Sequence, residues 1–172
     1  MFNVKLISTI DSRFDTADTG GMHEWLTDQM VRPAQALTRR IGSVRELVYA
    51  VRIAAHKGQI DRLLVMGHGL STGDAILIGA DVVSSGTVSM YAKYFTQLAG
   101  YFSPNGYAHF ESCFIGMHSR KSVLAELAKM MGVRVYGGVG EENPLWHYNS
   151  DGYVVYYPDG HSRNCHRPQF GM

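Results

Sequence analysis

Two residues with reactive side chains follow apolar segments of the chain. His68 stands between two glycines directly after the apolar run that ends at Met66, and Cys113 follows the segment Gly106–Ser112. A thiol and an imidazole in one cleft can transfer acyl groups, because the thiolate attacks a carbonyl carbon and the imidazole protonates the departing amine. Taken alone, a cysteine at the end of a strand is often a small buried hydrophobe. The positions of His68 and Cys113, each directly after an apolar strand-like segment, together favour a catalytic role for the pair.

The backbone beside these residues offers donors for a tetrahedral intermediate. The Gly69 N–H is unshielded by any side chain, and the Cys113 N–H opens the turn that leaves the strand. Loss of one such donor typically raises the barrier by about 2.7–4 kcal/mol. We therefore expect Gly69 and Cys113 to form an oxyanion hole.

The elements that must hold these residues alternate between strand and helix patterns. A capping box at Ser43 and Glu46 opens one predicted helix. Alternation of this kind predicts an α/β fold with a mainly parallel central sheet and helices on both faces, in a single domain of residues 1–172. The predicted strands cover residues 4–10, 60–66, 75–79, 106–112, 133–139 and 153–157. The other predicted helices cover residues 88–98, 123–131 and 24–40, the last interrupted or restarted at Pro33.

The expected position of the site follows from this fold. Ligands bind at the carboxyl ends of the strands in open sheets of this kind. His68 and Cys113 each follow the end of a predicted strand. If those strands are neighbours, the two side chains face one cleft.

The two segments resemble those of the caspase–legumain superfamily of cysteine peptidases. The segment His68–Gly73 (HGLSTG) after an apolar strand is similar to the superfamily's His-Gly segment. The segment Glu111–Met117 (ESCFIGM) is similar to the legumain-type nucleophile segment, with a glutamate two residues before the cysteine and a glycine three after it. The resemblance covers these two segments and the order of elements up to about residue 140. The Gln-Ala-Cys segment of caspases is absent, and the chain is short for a legumain and lacks the pro-region of such enzymes.

The resemblance implies a caspase-like three-layer sandwich and a thiol protease, a cysteine endopeptidase with a strict preference for one substrate residue, P1. It implies Cys113 as nucleophile, His68 as its partner in a catalytic dyad, and Gly69 with Cys113 as oxyanion donors. The P1 pocket would draw on Arg13, in the loop after the first strand, or on Glu111, beside the nucleophile. Arg13 would suit an acidic or amide P1 side chain and Glu111 a basic or amide one, by charge-assisted hydrogen bonds. The identity of P1 stays open.

Other residues allow further interpretations. Trp146 would either form a substrate wall at this edge of the sheet or close the end of the core. Ser71 lies in a literal Gly-x-Ser-x-Gly string, which would make the protein a serine hydrolase, although no helix pattern follows Ser71 as a nucleophile elbow requires. A non-catalytic binding or scaffold domain with the same fold is a further alternative. The histidines lack tight metal-ligand spacing, and no dinucleotide motif is present, so we expect no metal and no cofactor.

Composition narrows the class of partner. The chain has 172 residues, of which 45% are hydrophobic, and its formal net charge is +1. These values predict a soluble globular protein that binds neither nucleic acid nor a membrane surface, and the partner we expect is a protein or peptide substrate. The start of the chain lacks a basic region followed by a long apolar run, which predicts a cytoplasmic protein or export without a conventional signal peptide. The sequence leaves the oligomeric state open.

Overall fold

The computed structural model describes residues 3–8, 36–56, 58–70, 73–117, 122–143, 148–149 and 151–166. The strands are β1 (Asn3–Ser8), β2 (Ala36–Ile41), β3 (Ile60–Met66), β4 (Ala75–Ile78), β5 (Asp81–Ser84), β6 (Phe102–Glu111), β7 (Arg134–Gly138), β8 (Glu142–Asn143), β9 (Tyr148–Asn149), β10 (Tyr153–Tyr156) and β11 (Ser162–Cys165). The helices are α1 (Val44–Ala55), α2 (Ala92–Leu98) and α3 (Val123–Met131), and two short 3₁₀ turns cover Val88–Tyr91 and Ala99–Tyr101.

Within this part of the chain, seven strands form one mixed sheet in the order β11-β10-β7-β6-β3-β1-β2. Strand β1 pairs in parallel with β2 and β3, and β6 pairs in parallel with β3 and β7. Strand β10 is antiparallel to both β7 and β11. Two small hairpins, β4–β5 and β8–β9, lie outside this sheet. The predicted α/β class is confirmed, and β3 and β6 are neighbours near the middle of the sheet.

One face of the sheet carries the main hydrophobic core. Leu63 and Val65 of β3 belong to the same buried cluster as residues from all three described helices, among them Leu47, Phe95 and Leu127. Apolar residues recur at helical spacing in α1 and α3, which is why each helix presents one apolar stripe to the strands. The described helices therefore pack on this one face of the sheet.

The opposite face is also buried but has a different composition. Leu64 and Met66 of β3 point to it and form a small cluster of their own, while Tyr107, Tyr136 and Val155 form another. Side chains alternate across a strand, so these residues cannot reach the helix-bearing face. The buried polar residues His109 and Glu111 pair with Leu64 and Met66 and therefore lie on this same face.

No helix of the described ranges is long and apolar enough to span a membrane.

The N-terminus of α1 confirms the predicted cap. The Ser43 hydroxyl accepts a hydrogen bond from the Glu46 N–H (3.2 Å), and the Glu46 carboxylate accepts one from the Gly42 N–H (2.7 Å). An Asp81 carboxylate oxygen accepts a further bond from the Val44 N–H (2.8 Å). Negative groups at a helix N-terminus accept hydrogen bonds from its free N–H groups and interact favourably with the positive end of the helix dipole. The hairpin that contains Asp81 is thereby fastened to α1.

The predicted helix over residues 24–40 is wrong at its C-terminal end. Residues 36–41 form β2, an edge strand that pairs with β1 along its whole length. Pairing with β1 satisfies the backbone of this segment, which overrides its local helix pattern. Residues 24–35 lie outside the described part of the chain.

Candidate active site

The parallel register of β3 and β6 brings the two reactive segments to one edge of the sheet. Met66 and Glu111 are paired partners, and the Gly67 N–H donates to the Glu111 carbonyl oxygen (3.2 Å). His68 and Cys113 each lie two residues beyond the Met66–Glu111 pair. His68 and Cys113 therefore both follow the carboxyl ends of two neighbouring parallel strands, at one edge of the sheet.

The two segments approach each other backbone to backbone. A Cβ placed on Gly69 would overlap the Cys113 carbonyl oxygen and would lie 3.2 Å from the Cys113 nitrogen. Only a residue without a side chain permits this contact. Gly69 therefore brings its peptide against that of Cys113, the two residues predicted to supply the oxyanion donors.

The His68 segment is held from the other side by the hairpin β4–β5. The Leu77 N–H donates to the His68 carbonyl oxygen (2.9 Å), and the Leu70 N–H donates to the Ala75 carbonyl oxygen (3.2 Å). Gly69 forms an antiparallel bridge with Ile76. The segment thus behaves as a short extra strand along β4, which fixes its backbone and leaves the His68 side chain exposed.

A second close contact fastens this hairpin to the body of the domain. Gly79, in the turn of the hairpin, has a left-handed φ of 60°, and a Cβ there would overlap the Gly42 backbone. The Ala80 N–H donates to the Gly42 carbonyl oxygen (3.0 Å). The support of His68 therefore runs through the hairpin to the start of α1.

The turn after Cys113 has an unusual backbone. Phe114 is the one non-glycine residue with positive φ (60°) in the described residues. The left-handed region costs a residue with a side chain about 1–2 kcal/mol, so neighbouring contacts must hold it. The Phe114 N–H donates to the Gly140 carbonyl oxygen (2.9 Å), and the Gly116 N–H donates to the Gly138 carbonyl oxygen (2.7 Å). The last residue of β7 and the segment that follows it therefore fix the turn that carries Cys113.

Accessibility differs among the site residues. His68 is exposed, and Cys113 is half-buried. Glu111 is buried, with 4% of its surface exposed. Burial lowers the pKa of Arg62, and negative charge on Tyr107 and Glu111 opposes that shift. A pocket that used Glu111 would thus contain a carboxylate whose charge interacts with the half-buried guanidinium of Arg62.

Several predicted residues cannot be placed. Arg13, Ser71 and Trp146 lie outside the described residues. Of the predicted site residues, the structure brings Gly69 and Cys113 into direct backbone contact. His68 directly precedes Gly69 in the chain, and Glu111 ends β6 two residues before Cys113. In the described part of the chain, no group of three or more His, Cys, Asp or Glu residues could hold a metal ion.

Sequence reasoning missed the residues that support the Cys113 turn. Gly138 and Gly140 accept hydrogen bonds from that turn, and Asn149 binds Gly140 through its side chain. The glycine-rich segment 137–140 was visible in the sequence as the end of a strand at this edge of the sheet. Its contact with Phe114 depends on three-dimensional proximity that no local pattern carries.

No protein-family model and no curated protein matches the chain.

Proposed function

We propose that this protein is a cysteine endopeptidase with a caspase-like fold, in which Cys113 is the nucleophile and His68 its partner. The observation that carries the proposal is the contact between Gly69 and the Cys113 backbone at the carboxyl ends of β3 and β6. It supports the proposal because the thiol, the imidazole and two candidate backbone donors belong to segments in direct contact. Burial of Leu64, Met66 and Tyr136 on the second sheet face supports a three-layer arrangement.

The proposed reaction has two stages. The Cys113 thiolate attacks the carbonyl carbon of the scissile peptide bond, and the resulting oxyanion accepts hydrogen bonds from the Gly69 and Cys113 N–H groups. The carbon–nitrogen bond then breaks, and the His68 imidazolium donates its proton to the departing amine. This leaves an acyl-enzyme thioester and a neutral imidazole.

Water completes the cycle. His68 accepts a proton from a water molecule as that water attacks the thioester carbonyl, and the carbon–sulfur bond breaks to release a carboxylic acid. The thiolate and the imidazolium are restored, so atoms and charges balance. An exposed His68 and a half-buried Cys113 suit a site that must admit both a peptide and water.

The experiment uses peptidyl electrophiles with varied P1 residues, together with hydrolysis of a proteome-derived peptide library. Cys113→Ala should abolish labelling and lower turnover by roughly 10⁴-fold or more, as loss of a nucleophile does in other hydrolases. Circular dichroism should show an unchanged fold, because the substitution removes only one sulfur atom. Cys165→Ala, which removes the other free thiol, is the matched control and should retain activity.

The remaining variants separate the mechanisms. His68→Ala should lose turnover but still react with small alkylating agents, because an imidazole that acts mainly as an acid need not create the thiolate. Full peptidase activity in Cys113→Ala would contradict the mechanism. Loss of activity in Ser71→Ala with retention in Cys113→Ala would favour a serine hydrolase. No cleavage above the Cys113→Ala background would favour a binding or scaffold domain.

A further inference from the structure

A buried asparagine binds both backbone groups of the residue that supports the Cys113 turn. Asn149 has 1% of its surface exposed. Its Oδ1 accepts a hydrogen bond from the Gly140 N–H (3.0 Å), and its Nδ2 donates to the Gly140 carbonyl oxygen (2.8 Å). One side-chain amide thus holds one peptide residue by donor and acceptor at once, which fixes the position and orientation of Gly140.

The neighbours of Gly140 leave it little room to move. A Cβ on Gly140 would overlap the Asp151 carboxylate. The Asp151 N–H donates to Asn149 Oδ1 (3.2 Å), so the same oxygen joins both residues. We call Gly140, Asn149 and Asp151 the amide clamp.

The amide clamp is connected to the Cys113 turn through a shared acceptor, the Gly140 carbonyl oxygen. The Gly140 carbonyl oxygen accepts from Asn149 Nδ2 and also from the Phe114 N–H (2.9 Å). Phe114 follows Cys113 directly and has the left-handed φ of 60°. If Gly140 moved, Phe114 would lose the bond that holds this backbone conformation, and the adjoining Cys113 peptide would turn with it.

We propose that Asn149 is a positioning residue for the Cys113 turn, acting through Gly140 and Phe114 to set the placement of Cys113 against Gly69. This inference rests on the proposed peptidase function for its kinetic consequence. The Cys113 carbonyl group lies directly against Gly69 and shares a peptide unit with the Phe114 N–H, so a shift of that unit displaces Cys113 relative to Gly69 and changes the separation of the two proposed oxyanion donors. Oxyanion donors act mainly in the transition state, so misplacement affects kcat more than KM.

The first measurement compares Asn149→Ala with Asn164→Ala, a matched control on the exposed strand β11. Asn149→Ala should lower kcat by about 10- to 100-fold with little change in KM, the size of effect expected from a misplacement of about 1 Å. Asn164→Ala should match the wild type. A wild-type kcat in folded Asn149→Ala, or a rise in KM as its main effect, would overturn the proposal.

A double-mutant cycle tests the route through Phe114. Glycine adopts the left-handed conformation without steric cost, so Phe114→Gly should need less support from Gly140. Asn149→Ala should therefore reduce kcat much less in the Phe114→Gly background than in the wild type. Equal reductions in both backgrounds would show that Asn149 acts by another route and would overturn the proposal.

Asn149→Asp keeps the test valid if Asn149→Ala does not fold. Its carboxylate still accepts from the Gly140 and Asp151 N–H groups but loses the donor to the Gly140 carbonyl oxygen. Loss of kcat in folded Asn149→Asp supports the proposal, and a wild-type kcat overturns it.

Alkylation separates this inference from the peptidase proposal. In a Cys165→Ala background, Cys113 is the remaining thiol, and its rate of reaction with iodoacetamide requires no peptidase activity. Asn149→Ala should react faster because the released turn exposes the thiol, while Asn164→Ala should not. If the wild type cleaves no peptide but this difference appears, the function fails and the positioning role stands. If peptides are cleaved and neither kcat nor alkylation responds to Asn149, the positioning role fails alone.

Discussion

The two halves of the candidate site are held by different means. The His68 segment lies at the rim of the sheet, where the His68 and Leu70 side chains are exposed and the backbone of both residues pairs with the hairpin β4–β5. The Cys113 turn continues into the main core through Ile115, which is 1% exposed. A Cβ on Gly137 would come within 2.5 Å of Leu124 and 2.6 Å of Ile115, so side chains of the turn and of α3 already fill this space.

This difference indicates which substitutions should affect the stability of the whole domain and which should not. Core packing is dense, so strain near Ile115 is felt by the whole domain. The exposed His68 and Leu70 side chains make fewer buried contacts, whereas the hairpin β4–β5 that pairs with them contributes Ile76, Ile78 and Val83 to the main core. We therefore expect substitutions of buried residues near the Cys113 turn to lower stability and activity together, and substitutions of the exposed His68 and Leu70 side chains to change stability little.

The largest effect is expected where the two halves touch. Gly69→Ala introduces a methyl group that overlaps the Cys113 carbonyl oxygen. Overpacking of this kind typically costs about 1–3 kcal/mol of stability. Displacement of an oxyanion donor should lower kcat by a further ~10²–10³-fold. Chemical denaturation and peptide hydrolysis measure the two effects.

Gly100→Ala is the matched control for this glycine substitution. A Cβ on Gly100 meets nothing within 4 Å, so the substitution should leave stability and activity close to those of the wild type. Wild-type kcat in Gly69→Ala would mean that the contact between the two segments is dispensable, and the division into two joined halves would fail.

Elements that depend on local sequence patterns could be predicted. The apolar run ending at Met66, the Ser43–Glu46 cap and the helix that ends at Gly132 are confirmed. Gly132 has a left-handed φ of 65° at the C-terminus of α3, the conformation that glycine adopts most readily. Each of these signals depends on residues a few positions apart.

The sequence did not carry features that depend on distant partners. Strand β2 needs β1 beside it, and the polar strand β11 needs β10, so neither shows a strong pattern of its own. Phe114 is a bulky residue in a conformation that favours glycine, and its hydrogen bond to Gly140 comes from a segment distant in the sequence. The reactive residues could be named from their types and positions, but the residues that orient them could not.

The next largest effect concerns stability, which should fall more for a substitution on the Cys113 side than for one on the His68 side. Leu124 is fully buried and belongs to the main core cluster that also contains Ile115. Leu124→Ala should lower the free energy of unfolding by about 2–5 kcal/mol, because it removes buried methyl groups and leaves a cavity beneath the Cys113 turn. Activity per folded molecule should fall as well, since Ile115 loses its support.

Leu70→Ala is the matched control on the His68 side. Leu70 is 40% exposed, so the same substitution should change the free energy of unfolding much less. Urea denaturation of both variants gives the comparison. Equal losses of stability would contradict the view that the Cys113 side belongs to the core and the His68 side to the rim.

The smallest expected effect is a pH dependence of stability beside the turn of the hairpin β4–β5. The Tyr91 hydroxyl donates to Asp81 Oδ1 (3.3 Å), and burial together with the Asp81 charge raises the pKa of Tyr91. The folded chain therefore keeps the Tyr91 proton at pH values where the unfolded chain has lost it. The unfolded state then binds fewer protons, so stability falls as pH rises above about 10 toward the raised folded-state pKa.

Removal of the hydroxyl tests this assignment. Tyr91→Phe should lose stability less steeply above pH ~10 than the wild type, because its share of the linkage is gone. Burial also raises the pKa of Tyr107 and Tyr136, so part of the slope should remain. Asp81→Asn should give an intermediate slope, since burial is the larger cause of the Tyr91 shift and persists there. Parallel slopes for wild type and Tyr91→Phe in urea denaturation across alkaline pH would show that this contact does not link the hairpin to proton binding.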